Sequence, residues 1–171
     1  MQFVLPLPHP GDSMLELART YTLPAALSLL PTRMDTTLAR RHLLAIALQE
    51  SRFEHRRQIG GPARGFWQFE RGGVLGLIRH PATAPHLQSA VVALKYDAEM
   101  AMDDVGIHAA IEHNDILACV LARLNLWGLP APLAADQEGA WGQYVSAWRP
   151  GRPHPATWGV CWRMADAPQE N

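Results

Sequence analysis

The sequence predicts a single, mainly α-helical domain, and three observations carry that reading. Hydrophobic residues make up 48% of the 171 positions and charged residues 18%, the profile of one packed globule with one core. Apolar residues recur at three- and four-residue intervals in several separate stretches. Those stretches begin at residues able to cap a helix and stop at proline or glycine.

Taken in order, residues 1–11 predict an extended arm, because Pro6, Pro8 and Pro10 cannot continue a helix. A helix is expected from about Ser13, with Leu15, Leu17, Ala18 and Tyr21 on one side, breaking before Pro24. Ala25 to Leu30 reads as a short helix stopped by Pro31. The strongest pattern follows: Asp35 or Thr36 can cap, and Leu38, His42, Ala45, Ile46 and Gln49 share a face. Leu43, Leu44, Ala47 and Leu48 widen that face, so this helix should be buried on most sides and end near Glu50 or Ser51.

From Gln58 to Gly76, glycines alternate with Phe66, Trp67 and Phe69, which predicts a loop or short β-hairpin rather than helix. Helical pattern returns over 85–104, again shortly before Asn114, and from Asn114 to Trp127, stopping at Gly128. A proline-rich loop leads to a last helix over 136–148. The run Trp148 to Pro153 reads as an ordered loop closing over the domain, and residues 165–171 as a mobile polar tail.

Composition also excludes some functions. A net charge of −1 does not suggest a nucleic-acid partner, and no apolar run approaches the length of a membrane span. The N-terminus has no basic n-region, so the chain is expected to be made in a cytoplasm without a signal peptide. His108, Glu112 and His113 match no zinc-protease spacing, and no metal or other cofactor is expected. Cys119 reads as a small buried hydrophobe, while Cys161 stays open. Trp141, Tyr144, Trp148, Trp158 and Trp162 read first as core and second as a partner surface.

The candidate for chemistry is Glu50. A carboxylate at the end of an apolar helix meets two effects that disfavour its charge, desolvation and the negative end of the helix dipole. Both raise its pKa toward the range a general acid needs. Around it, Gln49-Glu50-Ser51-Arg52-Phe53 is followed by Gly65-Phe66-Trp67-Gln68-Phe69. This arrangement resembles the soluble lytic transglycosylases and goose-type lysozymes, whose first motif is Glu-Ser-x-Phe and whose second is Gly-Leu-Met-Gln-Ile or a variant. Gly61-x-Ala63 is similar to the family's approach to the second motif. The third motif, Ala-Tyr-Asn, meets Leu124-Asn125 here, so the asparagine matches and the tyrosine does not. Tyr144-Val145 resembles the closing Tyr-Val segment.

The resemblance implies a lysozyme-like domain over residues 1–171 that cleaves the β-1,4 bond between N-acetylmuramic acid and N-acetylglucosamine in peptidoglycan. It implies Glu50 as the acid/base, and Ser51, Phe53, Gly65, Trp67, Gln68 and Asn125 around the saccharide. Glu54 and Glu70 are the candidates for a second carboxylate, but a transglycosylase needs none, because the substrate's own 6-hydroxyl is the nucleophile. The setting expected is a phage protein carried in the virion and acting in the virion or the bacterial periplasm, with peptidoglycan and other virion proteins as partners. The rival expectation is a non-catalytic virion structural protein that keeps the fold, and Leu124 is the residue that favours it.

Overall fold

The computed structural model describes residues 10–166, and they are mainly α-helical. Residues 1–9 of the arm expected over 1–11, and residues 167–171 of the tail expected over 165–171, lie outside the described residues. Pro10 and Gly11 belong to helix, not to the arm, since proline fits the first turn of a helix, where its missing N–H is no loss.

Helix α1 (Pro10–Leu17) runs through a π-helical turn, Ala18–Thr22, into α2 (Leu23–Leu27), so the break expected before Pro24 does not occur. The wider turn explains the continuity. In it the Leu23 N–H reaches Ala18 O, five residues back, and a proline just beyond needs no i−4 partner. The extra residue also resets the inward face. Ala18, Thr22, Leu23, Ala26 and Leu27 are buried, whereas Leu17 and Tyr21 stay 45% and 61% exposed. The second helix ends at Leu27, short of the expected Leu30, and a 3-10 turn (Thr32–Met34) follows.

Helix α3 (Thr37–Ser51) is buried along most of its length. Thr36 caps it, its Oγ1 accepting from the Ala39 N–H at 3.0 Å, while Asp35 instead takes both arms of the Arg40 guanidinium. His42 and every residue from Leu43 to Leu48 are buried. The helix stops at Arg52, in the left-handed region at φ 52 with its N–H on Leu48 O.

The segment from Arg57 to Phe69 is looped, with isolated antiparallel bridges Arg57–Arg64 and Arg64–Phe69 but no named strand among the described residues. The glycines beyond it do not prevent helix: α4 spans Arg71–Arg79, against the sequence expectation for this stretch. Val74, Leu77 and Ile78 form a buried stripe, and that packing outweighs the weak propensity of Gly72, Gly73 and Gly76. Gly73 is also where the ring of Phe69 lies close, 3.3 Å from where a Cβ would stand.

The helix expected over 85–104 is broken after its first half, and one helix is added near the C-terminal end of the described residues. Helix α5 (Ala84–Ala93) gives way to a 3-10 turn (Ala98–Met102) because Lys95 turns left-handed, and α6 (Asp104–Ala110) follows. Helix α7 (Asp115–Trp127) is capped by Asn114, whose Oδ1 accepts from the Leu117 N–H at 2.9 Å. Helix α8 (Gln137–Trp148) is capped by Asp136. A further helix, α9 (Pro155–Asp166), which the sequence reading did not expect, takes in Ala165 and Asp166 at the start of the expected tail. It packs along α3, where the Trp162 ring meets the His42 ring edge-on at 5.0 Å and the Arg41 guanidinium at 4.1 Å. Cys119 and Cys161 are both buried and free.

Candidate active site

A cleft of about 1070 Å³ lies between the end of α3, the 58–80 segment and the region from Asn125 to His154. Glu50 lines it from the last turn of α3, half-buried. Across from it, Tyr144 on α8 donates its Oη–H to Glu50 Oε1 at 2.7 Å. Burial pushes the Glu50 carboxyl up from 4.5 to about 7, and the Tyr144 hydrogen bond, which favours the anion, opposes that rise. The Tyr144 phenol is itself held far above its ordinary range, first by burial and then by the neighbouring Glu50 charge, so it remains a donor.

Tyr144 is fixed by aromatic packing. Its ring stacks on Trp158 at 5.3 Å and 11°, and Trp141 lies tilted against both. Trp148, one turn further along α8, donates its indole N–H to Trp67 O at 2.8 Å and tilts against Phe69 at 5.6 Å. Gln49, next to the acid, donates to His154 O at 3.1 Å and accepts from the Thr157 hydroxyl at 3.0 Å, which ties the end of α3 to the start of α9.

The residues expected around the sugar separate into two groups. Gln68 and Asn125 line the cleft with Glu50. Gln68, left-handed at φ 50, donates to Gly65 O at 2.7 Å, and Asn125 joins α7 to α8 through Ala147 O at 3.1 Å. Ser51, Phe53, Gly65 and Trp67 do not line it. The Ser51 hydroxyl donates to Ala47 O at 3.1 Å and accepts from the Phe53 N–H at 3.2 Å, a turn-closing role. Phe53 is buried edge-on to Phe66 and Trp67. Trp67 is fully buried with its indole N–H on Leu43 O, so its face is not available to a sugar ring. Gly65, at φ 71, lets the backbone pass Ile111 O, 3.0 Å from where a Cβ would stand. Any side chain there would strain the turn that presents Gln68.

Of the two further carboxylates, Glu70 lines the cleft at the start of α4, and Glu54 does not. Leu124, where the resemblance places a tyrosine, is fully buried. Tyr144 is the site residue that the sequence reading did not assign, although the Tyr-Val match pointed at it. Among the described residues no cluster of three or more His, Cys, Asp or Glu side chains is placed to hold a metal ion, and no helix is long and apolar enough to cross a membrane. Its chemistry is that of a carboxyl half-protonated near neutral pH, held in place by a phenol, on the wall of an open groove.

No family model, curated protein or solved structure matches this chain.

Proposed function

We propose that the chain is a lysozyme-like glycosidase of the lytic transglycosylase type, acting on the β-1,4 bond between N-acetylmuramic acid and N-acetylglucosamine in peptidoglycan strands. The observation that carries the reading is the Glu50–Tyr144 pair on the cleft wall, with the Glu50 carboxyl raised to about 7. An extended groove accommodates a polymer, and a carboxyl with that pKa can give up and recover a proton at neutral pH.

In the proposed reaction the Glu50 carboxyl protonates the glycosidic oxygen as the C–O bond breaks and the leaving sugar departs with that proton. The resulting carboxylate takes the proton from the 6-hydroxyl of the retained sugar, whose oxygen closes on the anomeric carbon to form a 1,6-anhydro ring. The acid is regenerated and no water is consumed. Tyr144 holds the Glu50 oxygen it contacts and leaves the other free for the proton transfer. Gln68 and Asn125 are positioned to contact the glycan. Glu70 supports a two-carboxylate hydrolysis as the second reading, because it lines the same cleft.

The test is digestion of purified peptidoglycan followed by mass spectrometry of the muropeptides. The expected products end in anhydro sugars, lighter by one water than reducing ends, and Glu70→Gln leaves most activity intact. Free reducing ends that depend on Glu70 would select the hydrolase. No product of either kind would remove the enzyme and leave the virion structural role that Leu124 favours.

A further inference from the structure

Arg123 on α7 does not belong to the Glu50 cleft, and its surroundings are unusual for an arginine. It is only 3% exposed and forms no ion pair within 4.0 Å among the described residues. Its Nε donates to Met34 O at 2.7 Å, which fixes the Thr32–Met34 turn, but its Nη1 is buried with no hydrogen-bond partner. Asp35, the one carboxylate whose charge reaches it, has both oxygens engaged by Arg40. Burial accordingly pulls the guanidinium down to about 10. A buried cation with an unused donor is destabilising unless something compensates it. The anchor to Met34 and the Trp127 ring at 5.4 Å still leave Nη1 without a hydrogen-bond partner.

The same side chain lines a second cavity of about 560 Å³, on the other side of the Leu129–Pro130 wall from the cleft. Apart from Arg123 and Thr36, its lining side chains are apolar, Leu38, Leu126, Trp127 and Leu133 among them. A second guanidinium, that of Arg33, lies 5.3 Å from the Trp127 ring, which has Arg123 at 5.4 Å. Arg33 itself is outside the lining, so Arg123 is the one cation of an otherwise apolar wall, which selects an anion with an apolar body. The volume lies within the range of small-molecule sites. A peptide would bring several amide groups, for which the lining side chains offer one hydroxyl, so a small acid fits better than a chain terminus.

We propose that this cavity binds a small aliphatic monocarboxylate, with the carboxylate against Arg123 and the chain between Leu38, Trp127 and Leu133. The proposal is independent of the glycosidase reading, since its site shares neither Glu50 nor Tyr144.

The experiment is a titration of the full chain, followed by NMR at the Trp127 indole, with octanoate and octanol as a charged and neutral pair. N-acetyl-Leu-Leu and its amide form a second pair. Octanoate is expected to bind at least tenfold more tightly than octanol, because a charge-assisted pair in an apolar site is strong. Arg123→Gln should remove that preference, and Leu133→Trp, which fills the cavity and keeps Arg123, should remove binding. If Arg123→Gln does not fold, the octanoate–octanol comparison and Leu133→Trp still decide. Equal binding of acid and alcohol, no binding, or octanoate binding that survives Leu133→Trp would overturn the proposal. Preference for the peptide acid over octanoate would overturn the small-acid occupant.

Discussion

Two aromatic stretches pack against each other beside the cleft, Trp148 against Phe69 and Trp67 O, and they exchange the roles their sequences suggest. The 65–69 stretch is short, glycine-rich and matched to a substrate-binding motif, yet Phe66 and Trp67 are buried and the indole N–H of Trp67 is committed to Leu43 O. The 144–148 stretch sits on a regular helix and reads as core, yet it supplies the phenol that holds Glu50 and part of the cleft wall. An aromatic ring is placed by the apolar area it can bury, not by the flexibility of its segment. A glycine-rich turn lets a tryptophan fold inward, whereas a helix must present some of its residues at its edge.

The comparison can be broken first at the acid. Glu50→Gln should reduce peptidoglycan cleavage by about 100- to 10,000-fold, the usual contribution of a general acid. Retained cleavage would detach the 144–148 stretch from any catalytic role. The core role of the other stretch is tested by Trp67→Ala, expected to lower unfolding stability by about 3–5 kcal/mol, measured by denaturant titration. A loss below 1 kcal/mol, on the order of a surface change, would mean that Trp67 is not packed as described.

A third test uses pH. The Glu50 carboxyl is raised from 4.5 to about 7 in the folded state, so folding favours its protonated form. The associated stability is fully present below about 4.5 and is lost as pH rises through 7. Glu50→Gln has no such dependence. It should therefore match the parent near pH 4 and exceed it by up to about 3 kcal/mol above pH 8. A difference that does not grow with pH would contradict a buried acid.

The smallest effects sharpen the comparison. Tyr144→Phe removes the hydrogen bond that favours the Glu50 anion, so the alkaline limb of the cleavage–pH profile should move to higher pH. An unmoved limb would reduce Tyr144 to packing. Trp148→Phe removes the donor to Trp67 O and should cost about 1 kcal/mol, read by thermal unfolding.

Much of the helical framework was legible because it is local. Thr36, Asn114 and Asp136 cap where capping chemistry places them, and the buried faces of α3 and α7 follow the apolar spacing. Helix α4 was hidden because Gly72, Gly73 and Gly76 oppose it locally and only the burial of Val74, Leu77 and Ile78 supports it. Helix α9 was hidden because Gly159 weakens its pattern, while its stability comes from packing on a partner more than a hundred residues earlier. The site divides the same way. Glu50 could be read from a helix end, but its partner Tyr144 is ninety-four residues away, a distance that only the fold closes.

That late partner has a consequence for the order in which the chain is made. Helix α3 emerges from the ribosome early, apolar on most sides, and α9, which covers one of those sides and ties down Gln49, is the last element of the described fold to appear. Until then one face of α3 has no cover, and the nascent chain exposes an apolar surface. A chain ended at Pro153 should therefore bind an apolar dye strongly and regain order when a 154–171 peptide is added. A compact, dye-silent truncated chain would show that α3 is complete without its last neighbour.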